Sequence, residues 1–238
     1  MTLIIGLVCK NGVAIGADKL ETLFRATYLK RPTRKIYEFN LGDERKLLVA
    51  IAGTRQDGER AVIRINPEGL RLPKDYSFNE YLGDVVEPTL SRFYSSLKEK
   101  RGREPNYSLI LGAIDVDGDP KLAIVYPDGS YDLETRSVLG VAAPLAEMVL
   151  RDIRTEDLDL KIVRYLIGLI IAKVSLVHQE VDGLMYGMDI ASIAEDRPGE
   201  VQWLGEEEFN RIIKLTGEVS FNIIAEMIKK KITEIEEK

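Results

Sequence analysis

Thr2 directly follows Met1. Removal of Met1 would give one residue both a hydroxyl and a free α-amine. An α-amino group has a reference pKa of roughly 7.7–8.0, so a useful fraction is neutral near physiological pH and can accept a proton. A hydroxyl nucleophile with its own amine as base needs no histidine. That suits a chain with 1 His and 1 Cys. A retained Met1 would acylate the Thr2 nitrogen and remove the base, and that form is expected to be inactive. A histidine-dependent nucleophile would have to use His178. Near the end of an apolar helical stretch, His178 reads as structural or as a partner of the helix dipole. Cys9 alternates with apolar neighbours and reads as a small buried hydrophobe. A single Cys excludes an internal disulfide, and one Cys with one His excludes a Cys/His zinc cluster; this usage suits the cytoplasm. Asp115, Asp117 and Asp119 are spaced like the start of a calcium loop. The twelfth position is Tyr126 rather than Glu, so a hairpin turn is expected there. No residue pattern calls for a metal or a cofactor.

The elements that must position Thr2 follow from composition and pattern. The chain has 238 residues, 45% hydrophobic and 30% charged, enough for a sizeable core in one large layered domain. Lys and Arg total 33 against 39 Asp and Glu, for a net charge of -6. An overall nucleic-acid footprint is thereby excluded. The basic run KRPTRK, Lys30 to Lys35, reads as a solvated loop. MTLIIGLVCK lacks the charged leader and long apolar core of a secretory signal. Ile162 to Val177, the most apolar stretch, is interrupted by Arg164 and Lys173 and is too short and charged to span a membrane.

Leu3 to Cys9, the turn Lys10-Asn11-Gly12 and Val13 to Ala17 predict a β-hairpin. Strands are expected at Ile36 to Phe39 and Leu47 to Ala52, the latter ended by Gly53. A helix is expected over Glu59 to Ile65, stopped by Asn66-Pro67. Phe78 to Lys100 has helical spacing, with a bend or new turn at Pro88. Further strands are predicted at Ser108 to Ile114, Leu122 to Tyr126 and Ser130 to Leu133. Helices follow at Pro144 to Arg151 and Leu158 to Gln179, the second central to the fold. Met188 to Ala194 and Glu200 to Leu204 read as strands, Glu206 to Leu215 and Val219 to Glu237 as helices. This order predicts an α+β layered fold with antiparallel sheets. The main domain is placed at residues 1–216, with an added amphipathic helix in 217–238. Taken singly, Asp18 reads as a turn cap, Lys35 as part of the basic loop and Gly53 as a turn glycine.

Together and in order they carry more. TLIIGLVCKNGVAIGADKLET at Thr2 to Thr22, RKIYEF at Arg34 to Phe39 and AIAG at Ala50 to Gly53 resemble the β-subunit of the proteasome, an N-terminal nucleophile hydrolase. The resemblance is clear over roughly the first sixty residues. It implies a four-layer αββα sandwich and a threonine-type amide-bond hydrolase, free of metal and cofactor, acting on peptide or protein substrates. Homo-oligomers or proteasome-like subunits are the partners it implies, with no nucleic acid or membrane.

Carried over, Thr2 is the nucleophile and, through its amine, the base. Lys35 is the active-site lysine whose charge lowers the pKa of the Thr2 groups. Asp18 orients that lysine, and the Gly53 N–H forms the oxyanion hole. Thr22 offers backbone hydrogen bonds to an extended substrate. Thr33, Tyr37 and Ile51 are pocket walls, and Asp182 falls near the family's second acidic position. The chain departs from the pattern near Val141 and near Met185: the family has a supporting serine shortly after the glycine matched by Gly140 and another after the second acid, and this chain has Val141, Ala142 and Ala143 and then Gly183, Leu184, Met185, Tyr186 and Gly187. Archaeal protein ligases related to proteasome β-subunits use the same kind of threonine, so the resemblance also admits transpeptidation. It also admits a non-catalytic structural subunit of a proteasome-like assembly.

Overall fold

The computed structural model describes residues 2–23, 29–42, 44–70, 72–178 and 180–218. The chain begins with strands β1 (Leu3–Cys9) and β2 (Gly12–Asp18), the expected hairpin, with register Ile4↔Ala17 through Cys9↔Gly12. Both strands are buried along their whole length, so they lie inside the molecule with both faces covered. A small two-stranded sheet follows, β3 (Leu20–Leu23) with β4 (Leu29–Pro32). The basic run is therefore not simply a loop: Lys30 to Pro32 lie in β4. Strands β5 (Ile36–Asn40) and β6 (Lys46–Gly53) lead into helix α1 (Arg55–Ile65). The helix begins four residues before the predicted start, where the Thr54 carbonyl accepts from the N–H groups of Asp57 (3.1 Å) and Gly58 (3.0 Å).

The second helical region is α2 (Phe78–Glu80), a π-helical turn at Tyr81–Val86 and α3 (Glu87–Arg101). Ser77 and Glu80 form a capping box at its start. The π-turn falls immediately before Pro88, which has no N–H and whose ring crowds the preceding turn. Strands β7 (Tyr107–Ile114), β8 (Pro120–Val125), β9 (Tyr131–Glu134) and β10 (Arg136–Gly140) come next. The β7–β8 turn contains the aspartate triplet: Asp115 accepts from the Phe78 N–H at 2.8 Å and Asp117 from the Asp119 N–H at 3.0 Å. Strand β10, Arg136–Gly140, is an element that the sequence pattern does not predict. Helices α4 (Ala143–Leu150) and α5 (Leu160–Val177), strands β11 (Met188–Ala194) and β12 (Arg197–Trp203) and helix α6 (Glu206–Glu218) complete the chain. Helix α6 passes through Thr216 and Gly217, and Val219 to Glu237 lies outside the described residues.

One five-stranded antiparallel sheet has the order β10-β1-β2-β11-β12 and the other β5-β6-β7-β8-β9. The two faces of the strands then build three cores. Leu3, Ile5 and Leu7 pack with Leu166, Ile167 and Ile170 between the first sheet and its helices. Ile4, Val13 and Ile15 meet Leu48, Ala50 and Ile110 between the sheets. Val49, Leu109 and Leu111 pack with Val62, Leu82 and Leu90 under the other helices. Strand periodicity of two sends alternate residues to opposite cores. The result is the four-layer αββα sandwich, an α+β fold.

Arg164 ties one end together. Its guanidinium pairs with Glu208 at 2.6 Å and donates to the Ser192 hydroxyl at 2.6 Å and the Gln202 carbonyl at 2.7 Å. Helix α5 is thereby fixed to β11, β12 and α6. Cys9 is buried, its Sγ 3.1 Å from the Gly12 carbonyl, and burial raises its pKa to about 11. His178 terminates α5, with its Nδ1 accepting from the Glu180 N–H at 3.3 Å. No helix among the described residues is long and apolar enough to cross a membrane.

Candidate functional site

The β1–β2 hairpin register decides where Thr2 goes. Ile4 pairs with Ala17, so Leu3 at the start of one strand, Thr2 just before it, and Asp18 at the end of the other come together at the sheet end. Asp18 is fully buried. Its Oδ1 accepts from the Leu3 N–H at 2.8 Å, the Thr2 hydroxyl at 3.1 Å and Lys35 Nζ at 2.9 Å. Its Oδ2 accepts from the Leu20 N–H at 3.1 Å. A buried carboxylate needs such partners, because an unpaired one would be too costly to desolvate.

Lys35 immediately precedes β5, and its carbonyl accepts from the Ile51 N–H at 3.0 Å. Its side chain is directed inward and the residue is only 8% exposed. Burial pushes its pKa below the usual lysine value, while Asp18, and more weakly Glu21 and Asp189, offset part of that shift. Lys35 Nζ and the Thr2 hydroxyl thus share the same Asp18 oxygen.

Thr2 is 5% exposed and borders a cleft of about 810 Å³, shared with Lys35, Ile51, Gly53 and Val141. Two glycines allow the close approaches around it. Gly140 has φ 110°, and a Cβ there would collide with the Thr2 carbonyl oxygen. That oxygen accepts from the Val141 N–H at 3.1 Å. Gly53 has φ 93°, and a Cβ there would lie 2.5 Å from the Asn106 carbonyl oxygen. At both positions the left-handed backbone favours glycine.

The structure thus brings together Thr2, Asp18 and Lys35, with Gly53 and Ile51 on the same cleft. Thr22 lies on β3 in register with Lys30; its side chain lies outside the described set. Asp182 is held locally, its Oδ1 accepting from the Met185 N–H at 2.7 Å. Among the described residues it bonds to none of Thr2, Asp18 and Lys35. Val141, 42% exposed, borders the cleft with an apolar side chain close to where the resemblance implies a hydroxyl, and Met185 is 79% exposed.

Some polar groups at the site carried no sequence signal. Glu21, Arg55 and Glu59 form a network with Tyr37, which the resemblance already places on the pocket wall, and Lys19 pairs with Asp189 at 2.8 Å nearby. No fixed spacing announces contacts between residues so far apart in the chain. A larger hollow of about 1070 Å³ lies near the starts of α5 and α6, bordered by Lys161, Glu195 and Glu207 and by none of the Thr2 cluster. Its charges of both signs do not converge on any nucleophile. Among the described residues no group of three or more His, Cys, Asp or Glu side chains could hold a metal ion.

A model of the proteasome subunit family matches residues 2–183. Two solved structures share the fold at low identity. One is the Anbu (Gly-1) mutant from Hyphomicrobium sp. strain MC1, with a TM-score of 0.72 and 15% identity over 92% of this chain and 94% of that one. The other is Anbu, described as an ancestral beta-subunit, from Yersinia bercovieri, with a TM-score of 0.69 and 18% identity over 91% of this chain and 94% of that one. No curated protein sequence matches the chain.

Proposed function

The chain belongs to the proteasome subunit family, and from that premise we propose that it is an N-terminal threonine hydrolase of amide bonds in peptides or proteins, active once Met1 is removed. The observation that carries this reading is the sharing of Asp18 Oδ1 by the Thr2 hydroxyl and Lys35 Nζ, at 3.1 and 2.9 Å. Such a buried cluster of hydroxyl, ammonium and carboxylate supports reading Thr2 as the nucleophile.

In the proposed reaction the freed Thr2 amine takes the proton from the hydroxyl, and Oγ1 bonds to the substrate carbonyl carbon. The Lys35 charge favours the ionised oxygen. The Gly53 N–H holds the oxyanion, a contribution of about 3 kcal/mol per donor in comparable acyl transfers. The C–N bond then breaks, and the leaving amine takes the proton from the Thr2 ammonium. Water attacks the resulting ester and restores the hydroxyl. An incoming amine in place of water would give ligation from the same ester. The cytoplasm, and assembly with copies of the chain or related subunits, complete the proposal.

The test is mass spectrometry of Met1-free protein incubated with a peptide vinyl sulfone. One adduct on Thr2, absent in Thr2→Ala, is the expected result. No adduct on Thr2 would leave a scaffold subunit as the better reading. Adding a peptide amine to a cleavable substrate then separates hydrolysis from joining.

A further inference from the structure

The wall of the Thr2 cleft carries an ion-pair chain that the catalytic reading does not use. Arg55, the first residue of α1, donates from Nε to Glu59 Oε1 at 2.7 Å and from Nη1 to Glu21 Oε2 at 2.8 Å. Glu21 Oε2 also accepts from Arg31 Nε at 2.8 Å, and the Tyr37 hydroxyl donates to Glu59 Oε1 at 3.2 Å. Glu21 belongs to β3, which pairs with β4 in a small sheet of its own. Arg55 follows β6 of a different sheet. The Glu21–Arg55 pair therefore joins two bordering segments of the cleft that share no strand ladder. Glu21, Tyr37, Ile51 and Arg55 all line the cavity that Thr2 lines.

The physical consequence concerns what can enter. Arg55 and Glu21 are partly buried and their charges are balanced by each other and by Arg31 and Glu59. A large apolar side chain pressed against this chain of charges would strip their remaining water and give no hydrogen bond in return. Alternatively it would have to part Arg55 from Glu21. A small side chain leaves the pair intact, and an amide or hydroxyl can bond to its unused donor and acceptor positions.

We infer that Arg55, held across the cleft by Glu21, is a specificity-determining residue that admits small or hydrogen-bonding substrate side chains beside Thr2 and excludes large apolar ones. This rests on the proposed reading in one respect, that the peptide lies in the cleft of Thr2. The substrate class it names is peptide carrying alanine-sized or amide side chains at the bond presented to Thr2.

Binding tests the selection separately from catalysis. Blocked peptides differing at one position, Ala, Gln or Phe, are titrated calorimetrically into Thr2→Ala protein and into the same protein carrying Arg55→Met. In the Thr2→Ala protein the Ala and Gln peptides should bind at least roughly tenfold more tightly than the Phe peptide, the order of discrimination that pocket contacts supply. Arg55→Met keeps an apolar stem but removes the donors, and should abolish or invert that ranking. Glu21→Gln, similar in size, gives a second variant should Arg55→Met fail to fold, and should narrow the ranking. Equal or tighter binding of Phe in the Thr2→Ala protein, an unchanged ranking in both variants, or no peptide binding would overturn the inference. Adduct formation with vinyl sulfones of the same three sequences is measured in parallel on the Met1-free parent. Ranked binding without any Thr2 adduct would sink the hydrolase reading and leave the selection by Arg55 standing.

Discussion

Lys35 and Thr2 meet on one atom: the Lys35 Nζ and the Thr2 hydroxyl both donate to Asp18 Oδ1, at 2.9 and 3.1 Å. The oxygen also takes the Leu3 N–H, so the start of β1 and the lysine before β5 are fixed relative to each other through a single carboxylate. Replacing Asp18 by Asn keeps the shape and an acceptor oxygen but removes the charge. Lys35 would then be a buried cation with no carboxylate in contact. Removing one partner of a buried pair typically costs about 3–5 kcal/mol. Asp18→Asn should accordingly lower the urea midpoint by an amount equivalent to about 3 kcal/mol, with an unchanged denaturant slope. It should also suppress the Thr2 adduct. A loss below about 1 kcal/mol, the range of exposed pairs, would mean that the pair contributes as a surface contact does.

The lowered pKa of Lys35 predicts a pH dependence of stability. Burial makes the folded chain release this proton at a lower pH than the unfolded chain, whose lysine titrates near 10.4. Between the depressed folded value and roughly 10.4 the unfolded state binds more protons, so stability from this site rises with pH through that window. Below the folded value both states hold the proton, and the contribution of this site stays level at its minimum. Lys35→Met has no such titrating group. The stability difference, parent minus Lys35→Met, should therefore increase as the pH is raised through the window in urea titrations, then level off above it. A difference that shrinks over the same range would contradict the direction of the shift.

Which parts of this were legible in sequence follows from how the information is carried. The hairpin of β1 and β2 and strand β11 are apolar runs bounded by turns, and their burial on both faces makes the pattern strong. Strands β3 and β4 are four residues each and carry Glu21, Lys30, Arg31 and Pro32, a composition that local propensity assigns to a loop. Strand β10 is only partly buried and begins at Arg136, so it gave no run to read. Thr2, Asp18 and Lys35 were legible as a group only through the resemblance of their segments, in order, to proteasome β-subunits; taken singly, Asp18 reads as a turn cap and Lys35 as part of a basic loop. The Glu21–Arg55 contact spans 34 residues and depends on two elements meeting in space. Asp182 shows the limit from the other side: a carboxylate placed by order along the chain is held by its own turn through the Met185 N–H.

Val141 offers a way to test what a hydroxyl would add. It is 42% exposed, borders the cleft, and its N–H holds the Thr2 carbonyl oxygen. A side-chain change there leaves that backbone bond available. Val141→Ser should change stability by no more than about 0.5 kcal/mol, as at other partly exposed positions. With a hydroxyl available to pass the proton toward the Thr2 amine, the rate of adduct formation should rise by about tenfold or more. An unchanged rate would argue that proton transfer does not limit the step.

Gly140 packs against the backbone of Thr2, the proposed nucleophile. Its φ of 110° lies where L side chains are strained, and a Cβ would occupy the space of the Thr2 carbonyl oxygen. Gly140→Ala therefore combines a backbone cost of about 1–2 kcal/mol with displacement of the residue that carries the hydroxyl. Gly118 provides the control: its φ is 89°, but a Cβ there meets nothing within 4 Å. Gly118→Ala should show the backbone cost alone and form the Thr2 adduct at the parental rate. Gly140→Ala should be less stable than Gly118→Ala and should slow the adduct by more than tenfold, because near-attack geometry tolerates little displacement. Equal stability and equal adduct rates in the two variants would show that the Thr2 backbone moves aside freely, and that the close approach to Gly140 does not hold the nucleophile in place.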